Sequence, residues 1–162
     1  MNLNRAAVVT LLSMSLAGCG GGAEKLSPPE VRLGVDACAA CGMMLADARF
    51  VGALAFRDDS GAVQRLVYDD VGEMLAVDPP PGEHRFYVMA FDTGAWVPAE
   101  DATFVYSDSV MTPMATGVVA FADPTTSKAF AAAHAGVVMT LAQGRARAAD
   151  GDLRVGPDAR SP

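Results

Sequence analysis

The feature that most constrains this chain is a sulfur-rich stretch at residues 36–44, Asp-Ala-Cys-Ala-Ala-Cys-Gly-Met-Met. It places two thiols, Cys38 and Cys41, and two thioethers, Met43 and Met44, in one short segment. Thiolate and thioether sulfurs are soft ligands that suit Cu(I). A thioether binds without losing a proton, whereas a thiol must ionise first. The stretch therefore predicts a Cu(I) site for which the rest of the chain is the scaffold.

Cys41 and Met43 are the strongest ligand candidates, because the glycine between them lets the backbone turn tightly. Two sulfurs from one loop leave the ion incompletely coordinated, so we expect a further ligand from elsewhere. Met114 is our choice, since Pro113 restricts its approach and its loop corresponds in position to the first one. Cys38 is the fourth candidate, as a second thiolate or as a disulfide partner. Methionine also commonly fills protein cores, so each thioether has a purely structural alternative.

The Cys-x-x-Cys spacing of Cys38 and Cys41 has an alternative interpretation as a thiol–disulfide oxidoreductase. That chemistry needs a thiol of low pKa at a helix start within a βαβ pattern. Here Gly-Met-Met follows the pair and the next elements read as a hairpin. A closed zinc site would need further cysteine or histidine ligands, and the sequence has no second cysteine pair. We therefore favour a metal-binding protein over an enzyme.

Residues 1–18 have the form of an export signal, with Arg5 near the start and an apolar stretch after it. Leu-Ala-Gly-Cys at its end resembles the lipobox of bacterial lipoproteins, which implies cleavage before Cys19 and lipid on its thiol. The alternative is ordinary secretion with Cys19 as a free thiol. We expect a lipid-anchored protein on the periplasmic side of the envelope. Gly20 after the cysteine favours the outer membrane.

Composition supports one modest folded domain, with 51% hydrophobic and 19% charged residues. The formal net charge of −7 is the opposite of the basic charge that is typical of nucleic-acid-binding domains. We interpret the glycine- and proline-containing residues 19–35 as a flexible tether. The arginine- and aspartate-rich residues 144–162 have no apolar period, so we interpret them as a disordered tail.

The residues between tether and tail predict an α+β domain, residues 36–143, in which one order of elements occurs twice. The first half, residues 36–92, reads as strand, strand, helix, strand, and Asp69 or Asp70 is the expected N-cap of its helix. The second half, residues 93–143, repeats this ββαβ order. The predicted elements are strands at 50–56, 62–68 and 84–91 with a helix at 71–77, then strands at 103–106, 117–121 and 137–141 with a helix at 125–134.

Four motifs in this order, at residues 38–43, 68–74, 96–102 and 113–121, resemble the NosL family. Those proteins are copper-binding lipoproteins accessory to nitrous oxide reductase assembly in denitrification. The resemblance implies two related ββαβ units and Cu(I) bound by a cysteine and methionines of these motifs, which supports Cys41, Met43 and Met114. It also implies a metallochaperone whose partner is a copper-accepting enzyme or its membrane assembly complex.

Overall fold

The computed structural model describes residues 24–153, so the predicted signal peptide and Cys19 lie outside the described residues. No helix in this described part is long and apolar enough to cross a bilayer. Its elements in chain order are a 3₁₀ turn (Ala48–Phe50), β1 (Gly52–Arg57), β2 (Val63–Tyr68), α1 (Val71–Leu75), β3 (His84–Met89), β4 (Trp96–Pro98), β5 (Thr103–Tyr106), β6 (Val118–Phe121), α2 (Pro124–Ala133), β7 (Val137–Met139) and α3 (Leu141–Ala149).

The first sheet is antiparallel, with strand order β2-β1-β3-β4. Its first two strands form the predicted hairpin, in which Gly52 pairs with Tyr68. Asp58 shapes the turn, because its carboxylate accepts hydrogen bonds from the backbone N–H groups of Ser60 and Ala62. Such contacts to nearby backbone groups are the reason that aspartate favours turns. The hairpin brings the end of β2, and the aspartates that follow it, to the edge of the sheet where α1 begins.

The second sheet is also antiparallel, with strand order β6-β5-β7. Its helix, α2, begins where the sequence predicts a helix start. Asp123 is the N-cap and accepts a hydrogen bond from the backbone N–H of Thr125, and Pro124 occupies the first helical position. Proline suits that position because its missing N–H would have no partner within the helix.

The order strand, strand, helix, strand occurs twice, as β1-β2-α1-β3 and β5-β6-α2-β7, which confirms the predicted α+β fold. The short strand β4 is an addition to this pattern. It pairs with β3, placing Trp96 opposite Met89, and so extends the first sheet. The predicted boundary between residues 92 and 93 falls in the turn that joins β3 to β4. It therefore places β4 in the second half, although β4 pairs with β3 in the first sheet.

One main hydrophobic core joins the two units. It includes Leu54 and Met74 from the first unit and Phe104 and Val118 from the second. A smaller cluster, which includes Phe121 of the second unit and Phe50 of the first, packs against further aromatic side chains. Because the main core crosses the boundary between the units, neither unit buries its apolar surface without the other.

The predicted disordered tail, residues 144–162, is wrong for its described part. That part completes α3 and continues to Leu153, which is 4% exposed and belongs to the main core. The helix begins with a capping box, in which the side chains of Thr140 and Gln143 each accept a hydrogen bond from the other's backbone N–H. The sequence pattern does not indicate this helix because its buried face carries Gly144 instead of large apolar side chains.

The predicted flexible tether, residues 19–35, contacts the first sheet in its described part. Arg65 of β2 donates a hydrogen bond to the backbone carbonyl of Ser27 at 3.0 Å. The hydroxyl of Tyr87 in β3 donates to the carbonyl of Leu26. The segment is thus held on the first sheet by side chains that bind its backbone carbonyls, and tether composition carries no signal for such contacts.

Candidate metal centre

The sulfur-rich loop is a tight reversal of the chain closed by its own backbone. The N–H of Cys38 donates to the carbonyl of Met43 at 2.8 Å, and the N–H of Gly42 donates to the carbonyl of Cys38 at 2.9 Å. Gly42 has a φ of +76°, a conformation that residues with side chains rarely adopt. The reversal leaves Cys38 buried, at 3% exposure, and Cys41 at the surface.

Contacts on both sides fasten this loop to the domain. The N–H of Ala39 donates to the carbonyl of Val67 in β2 at 2.7 Å. A bridge pairs Ala37 with Met44, and the next residue, Leu45, is fully buried in the main core. The loop is therefore held against the end of the β1–β2 hairpin, where α1 starts.

Four potential ligand atoms meet there, from Cys38, Cys41, Asp69 and Glu73, and all lie within 4.8 Å of one another. The Cys38 thiol donates a hydrogen bond to Glu73 Oε2 at 3.1 Å, and Cys41 Sγ lies 4.0 Å from Asp69 Oδ1. Four ligands placed tetrahedrally about 2.3 Å from one ion lie about 3.8 Å apart. The four groups must therefore approach one another by up to about 1 Å to share one ion.

The start of α1 explains why the two carboxylates lie together. Asp69 follows β2 directly, and Glu73 lies four residues later in the first turn of the helix. Asp69 itself lies outside the helix, one residue before its N-cap, so the turn from β2 into α1 brings its carboxylate near Glu73. Asp69 is buried and Glu73 is half-buried, so both carboxylates lie beneath the loop that carries the thiols.

Burial raises the pKa of the Cys38 thiol to about 12, although hydrogen bonds from the backbone of Cys41, Asp69 and Ala40 oppose the rise. Burial also raises the pKa of the Glu73 carboxyl; the hydrogen bond from Cys38 lowers it and Asp69 raises it further. Cys38 therefore keeps its proton at neutral pH in the metal-free protein, while backbone groups already point at the sulfur that a metal would ionise.

The donor set combines soft and hard ligands. Thiolate sulfur favours Cu(I) and zinc, whereas carboxylate oxygen favours harder ions. Met43 lies on the same loop and is 48% exposed, so its thioether is a further soft ligand available to an ion. This arrangement can bind a soft or borderline cation at the protein surface.

Met114 lies on the long connection between β5 and β6 and is half-buried. Its backbone N–H donates to Asp70 Oδ2 at 3.0 Å. Asp70 immediately follows Asp69 and is the N-cap of α1. The connection that carries Met114 is thus attached to the same helix start that carries the carboxylates of the cluster.

Of the predicted ligands, the structure brings Cys38 and Cys41 into one cluster and places Met43 on their loop. The assignment of these residues and of Met114 as metal ligands stays a prediction. Neither histidine of the chain belongs to the cluster. His84 contacts the carbonyl of Gly82, and the ring of His134 packs on Phe130 at 4.2 Å between centroids.

The carboxylates of Asp69 and Glu73 are the members of the cluster that the sequence pattern does not indicate as ligands. The sequence predicts Asp69 or Asp70 as an N-cap, and Asp70 has that role. Asp69 lies before the N-cap, so helical spacing does not indicate that it meets Glu73. Nothing in the sequence shows that these carboxylates meet Cys38.

The surroundings of the cysteine pair differ from those that the oxidoreductase alternative requires. Cys38 and Cys41 lie in a loop closed by a bridge, and no helix begins at either residue. The buried thiol, Cys38, has a raised pKa, whereas a catalytic thiol needs a lowered one. The geometry therefore favours metal binding by the cysteine pair over thiol–disulfide exchange.

Comparisons with known proteins agree with this geometry. No protein of curated function matches the chain significantly. A crystal structure of the copper chaperone NosL from Shewanella denitrificans matches with a TM-score of 0.57 and 16% identity, covering 72% of this chain and 94% of that one. The NosL family model matches residues 33–146, a span that contains the sulfur-rich loop and both ββαβ units. These matches confirm the resemblance, and the chain belongs to the NosL family.

Proposed function

We propose that this protein is a copper chaperone that binds one Cu(I) at the sulfur-rich loop and delivers it to a copper enzyme, without catalysing a reaction itself. The observation that carries the proposal is the pair of free thiols in one loop, Cys38 buried and Cys41 exposed, within a NosL-family chain. The copper-chaperone description of the structurally similar Shewanella protein supports the same function.

The proposed ligands are the sulfurs of Cys38, Cys41, Met43 and Met114. Cys38 gives up its proton when copper binds, because only the thiolate is a strong ligand. The backbone groups that hydrogen-bond to Cys38 then stabilise the thiolate charge. Thioether ligands add no charge, which matters beside the carboxylates of the cluster.

Exposure of the sulfur side chains suits a carrier better than a storage site. Met43, Met44 and Met111 have exposed fractions of 48%, 63% and 74%. Metal transfer between proteins proceeds when ligands of the acceptor replace those of the donor one at a time, and this needs an approachable ion. Cys41 and Met43 are the ligands that an acceptor would reach first.

Family membership supports an acceptor in nitrous oxide reductase maturation, either the enzyme or its membrane assembly complex. The signal-like segment and Cys19 support a lipid anchor on the periplasmic side of the envelope, with the outer membrane favoured by Gly20. The described chain contributes no membrane-spanning helix of its own to such an anchor.

The deciding experiment is an anaerobic Cu(I) competition titration of residues 20–162, reduced, against a coloured chelator. We expect one tightly bound Cu(I) per chain and at least tenfold weaker binding by Cys41→Ser, a loss of about 1.4 kcal/mol or more. Met139→Leu is the matched control, since Met139 is a buried core methionine whose volume leucine reproduces.

The titration can contradict the proposal in two ways. Wild-type affinity in Cys41→Ser removes that residue from the site. Absence of competitive Cu(I) binding by the wild type removes the function and leaves the cysteine pair with a structural or redox role.

A further inference from the structure

The carboxylate of Asp70 is fully buried and holds together two parts of the chain. Its Oδ1 accepts hydrogen bonds from the backbone N–H of Gly72, at 2.8 Å, and from the hydroxyl of Thr116. Its Oδ2 accepts from the hydroxyl of Thr112, at 2.6 Å, and from the backbone N–H of Met114, at 3.0 Å. Three of these four donors belong to the connection between β5 and β6.

Capping a helix does not require such an arrangement, as the other N-cap aspartate shows. Asp123 caps α2 from the surface and accepts hydrogen bonds only from Thr125 and Thr126 of its own helix. Asp70 makes one such local bond, and its other three bonds join residues more than 40 positions away. Its burial and its partners therefore point to a second role.

The segment that Asp70 holds is tightly constrained. Thr112 Oγ1 also accepts hydrogen bonds from the backbone N–H groups of Thr116, at 3.0 Å, and Gly117, at 3.2 Å. Ala115 has a φ of +54°, which is uncommon for a residue with a side chain. Thr116 packs so closely on α1 that a Cβ at Gly72 would lie 2.3 Å from its hydroxyl oxygen. The backbone on either side of Met114 thus has one defined position.

We propose that Asp70 is a positioning residue that sets the place of the Met114 thioether relative to the thiols of Cys38 and Cys41. The inference rests on the proposed Cu(I) function and adds a residue that does not itself touch the metal. A methionine side chain is long and flexible, so a fixed backbone is needed to present its sulfur to one point. The two oxygens of a carboxylate can accept several hydrogen bonds at once, which suits this task.

The test is a double-mutant cycle read by Cu(I) affinity. Asp70→Asn replaces one carboxylate oxygen by an NH₂ group, so at least one donor of the Met114 segment loses its acceptor. We expect Cu(I) binding about 10–100-fold weaker, as for other residues that orient metal ligands. In a Met114→Leu background, Asp70→Asn should weaken Cu(I) binding no further, because the ligand that it positions is already gone.

A spectroscopic readout separates positioning from loss of stability. X-ray absorption of the Cu(I)-loaded chain should find one sulfur neighbour fewer in Asp70→Asn than in the wild type, as in Met114→Leu. Asp123→Asn is the matched control, because it makes the same change at a helix cap remote from the loop; its affinity and sulfur count should equal those of the wild type.

Thr116→Val keeps the inference testable if Asp70→Asn does not fold. It removes one hydroxyl donor to Asp70 while the helix-capping bond to Gly72 remains, and it should reproduce the affinity loss and the missing sulfur in weaker form. Near-ultraviolet circular dichroism of the metal-free variants verifies that each is folded.

Independent, additive losses in the double mutant, or an unchanged sulfur count, would overturn the positioning role. Wild-type affinity in Met114→Leu would also overturn it, since Asp70 would have no ligand to position. In that case weak Cu(I) binding by Cys41→Ser would still support the proposed copper-chaperone function. The positioning role and the proposed function can therefore be contradicted independently.

Discussion

The two thiols of the sulfur-rich loop differ in accessibility, and burial raises the pKa of one of them. Cys38 is buried, donates to Glu73 and has a pKa of about 12 because burial disfavours its thiolate. Cys41 is exposed, three residues away. If the loop binds copper as proposed, the ion meets Cys41 first, and Cys38 ionises only when the ion replaces its proton. This order of events follows from the position of each sulfur.

Selective alkylation tests this difference. At pH 8, iodoacetamide should modify Cys41 and leave Cys38 unmodified in the reduced, metal-free chain from residue 20 onward. The thiolate is the reacting form, and at about four units below its pKa Cys38 is almost entirely protonated. Its modification should accelerate as the pH rises toward 12. Tandem mass spectrometry of the peptide that contains both cysteines measures the two rates.

Cys41→Ser supplies the control for that experiment, since the chain should then take up little label at pH 8. Equal rates for the two thiols in the wild type would show that Cys38 is accessible and ionised at pH 8, and would contradict the assigned burial and pKa.

Sulfur chemistry could be predicted at the residue scale, whereas the carboxylates around it could not. Two cysteines and two methionines in one short stretch indicate a soft metal without any knowledge of the fold. Asp69 and Glu73 enter the site only because β2 ends beside the loop, so that Cys41 contacts a residue 28 positions away. Contacts over such separations depend on strand pairing, which the sequence pattern does not specify.

Helix α1 is the element on which the candidate site depends. It has five residues, a length that is unstable as an isolated helix. Its stability in the fold comes from burial of Val71, Met74 and Leu75 and from the close approach of Thr116 to Gly72. The same close approach determines how near the Met114 segment can come to the carboxylates.

Gly72→Ala should therefore destabilise the protein. The added Cβ would lie 2.3–2.7 Å from three side-chain atoms of Thr116, and no relaxation is available without moving one of the two segments. We expect a loss of about 1–3 kcal/mol in the free energy of unfolding, as for other overpacked sites. Urea denaturation of the metal-free protein measures it.

Gly144→Ala is the matched comparison for that prediction. A Cβ there would meet only the end of the Leu75 side chain, at 3.0 Å, and alanine gains about 1 kcal/mol in helix propensity. Its free energy of unfolding should change less than that of Gly72→Ala. Equal stability of Gly72→Ala and the wild type would show that Thr116 does not pack on α1 as described.

The strands and α2 could be predicted from the sequence because apolar residues and caps mark them directly. The predicted helix at residues 125–134 differs from α2 by one residue at each end, within the usual uncertainty of helix boundaries. The partner of β4 and the existence of α3 could not be predicted. A three-residue strand carries too little pattern, and α3 covers its neighbours with small side chains and arginine stems.

At the scale of the whole molecule, the segments outside the two ββαβ units pack against the elements that carry the candidate site. Arg145 of α3 donates to the carbonyl of Val77 just beyond α1, at 2.9 Å, and Leu75 of α1 packs against the helix at Gly144. The residues before the sulfur-rich loop attach to β2 and β3. The repeat could be predicted from the order of elements, but these supports could not, because they depend on contacts made after the sheets have formed.

Leu153 provides the sharpest test of this arrangement, since it lies in a segment that composition indicates to be disordered. It is 4% exposed and packs in the main core shared by both units, so truncating it removes contacts from that core. Leu153→Ala should lower the free energy of unfolding by about 2 kcal/mol, the lower end for buried leucines, because it lies past the last helix. Urea denaturation measures the loss, and Val138→Ala in β7, at a residue that is 38% exposed, should cost less than Leu153→Ala because it removes less buried apolar surface. If Leu153→Ala unfolds like the control, the segment after α3 does not pack on the domain, and α3 alone must hold α1 in place.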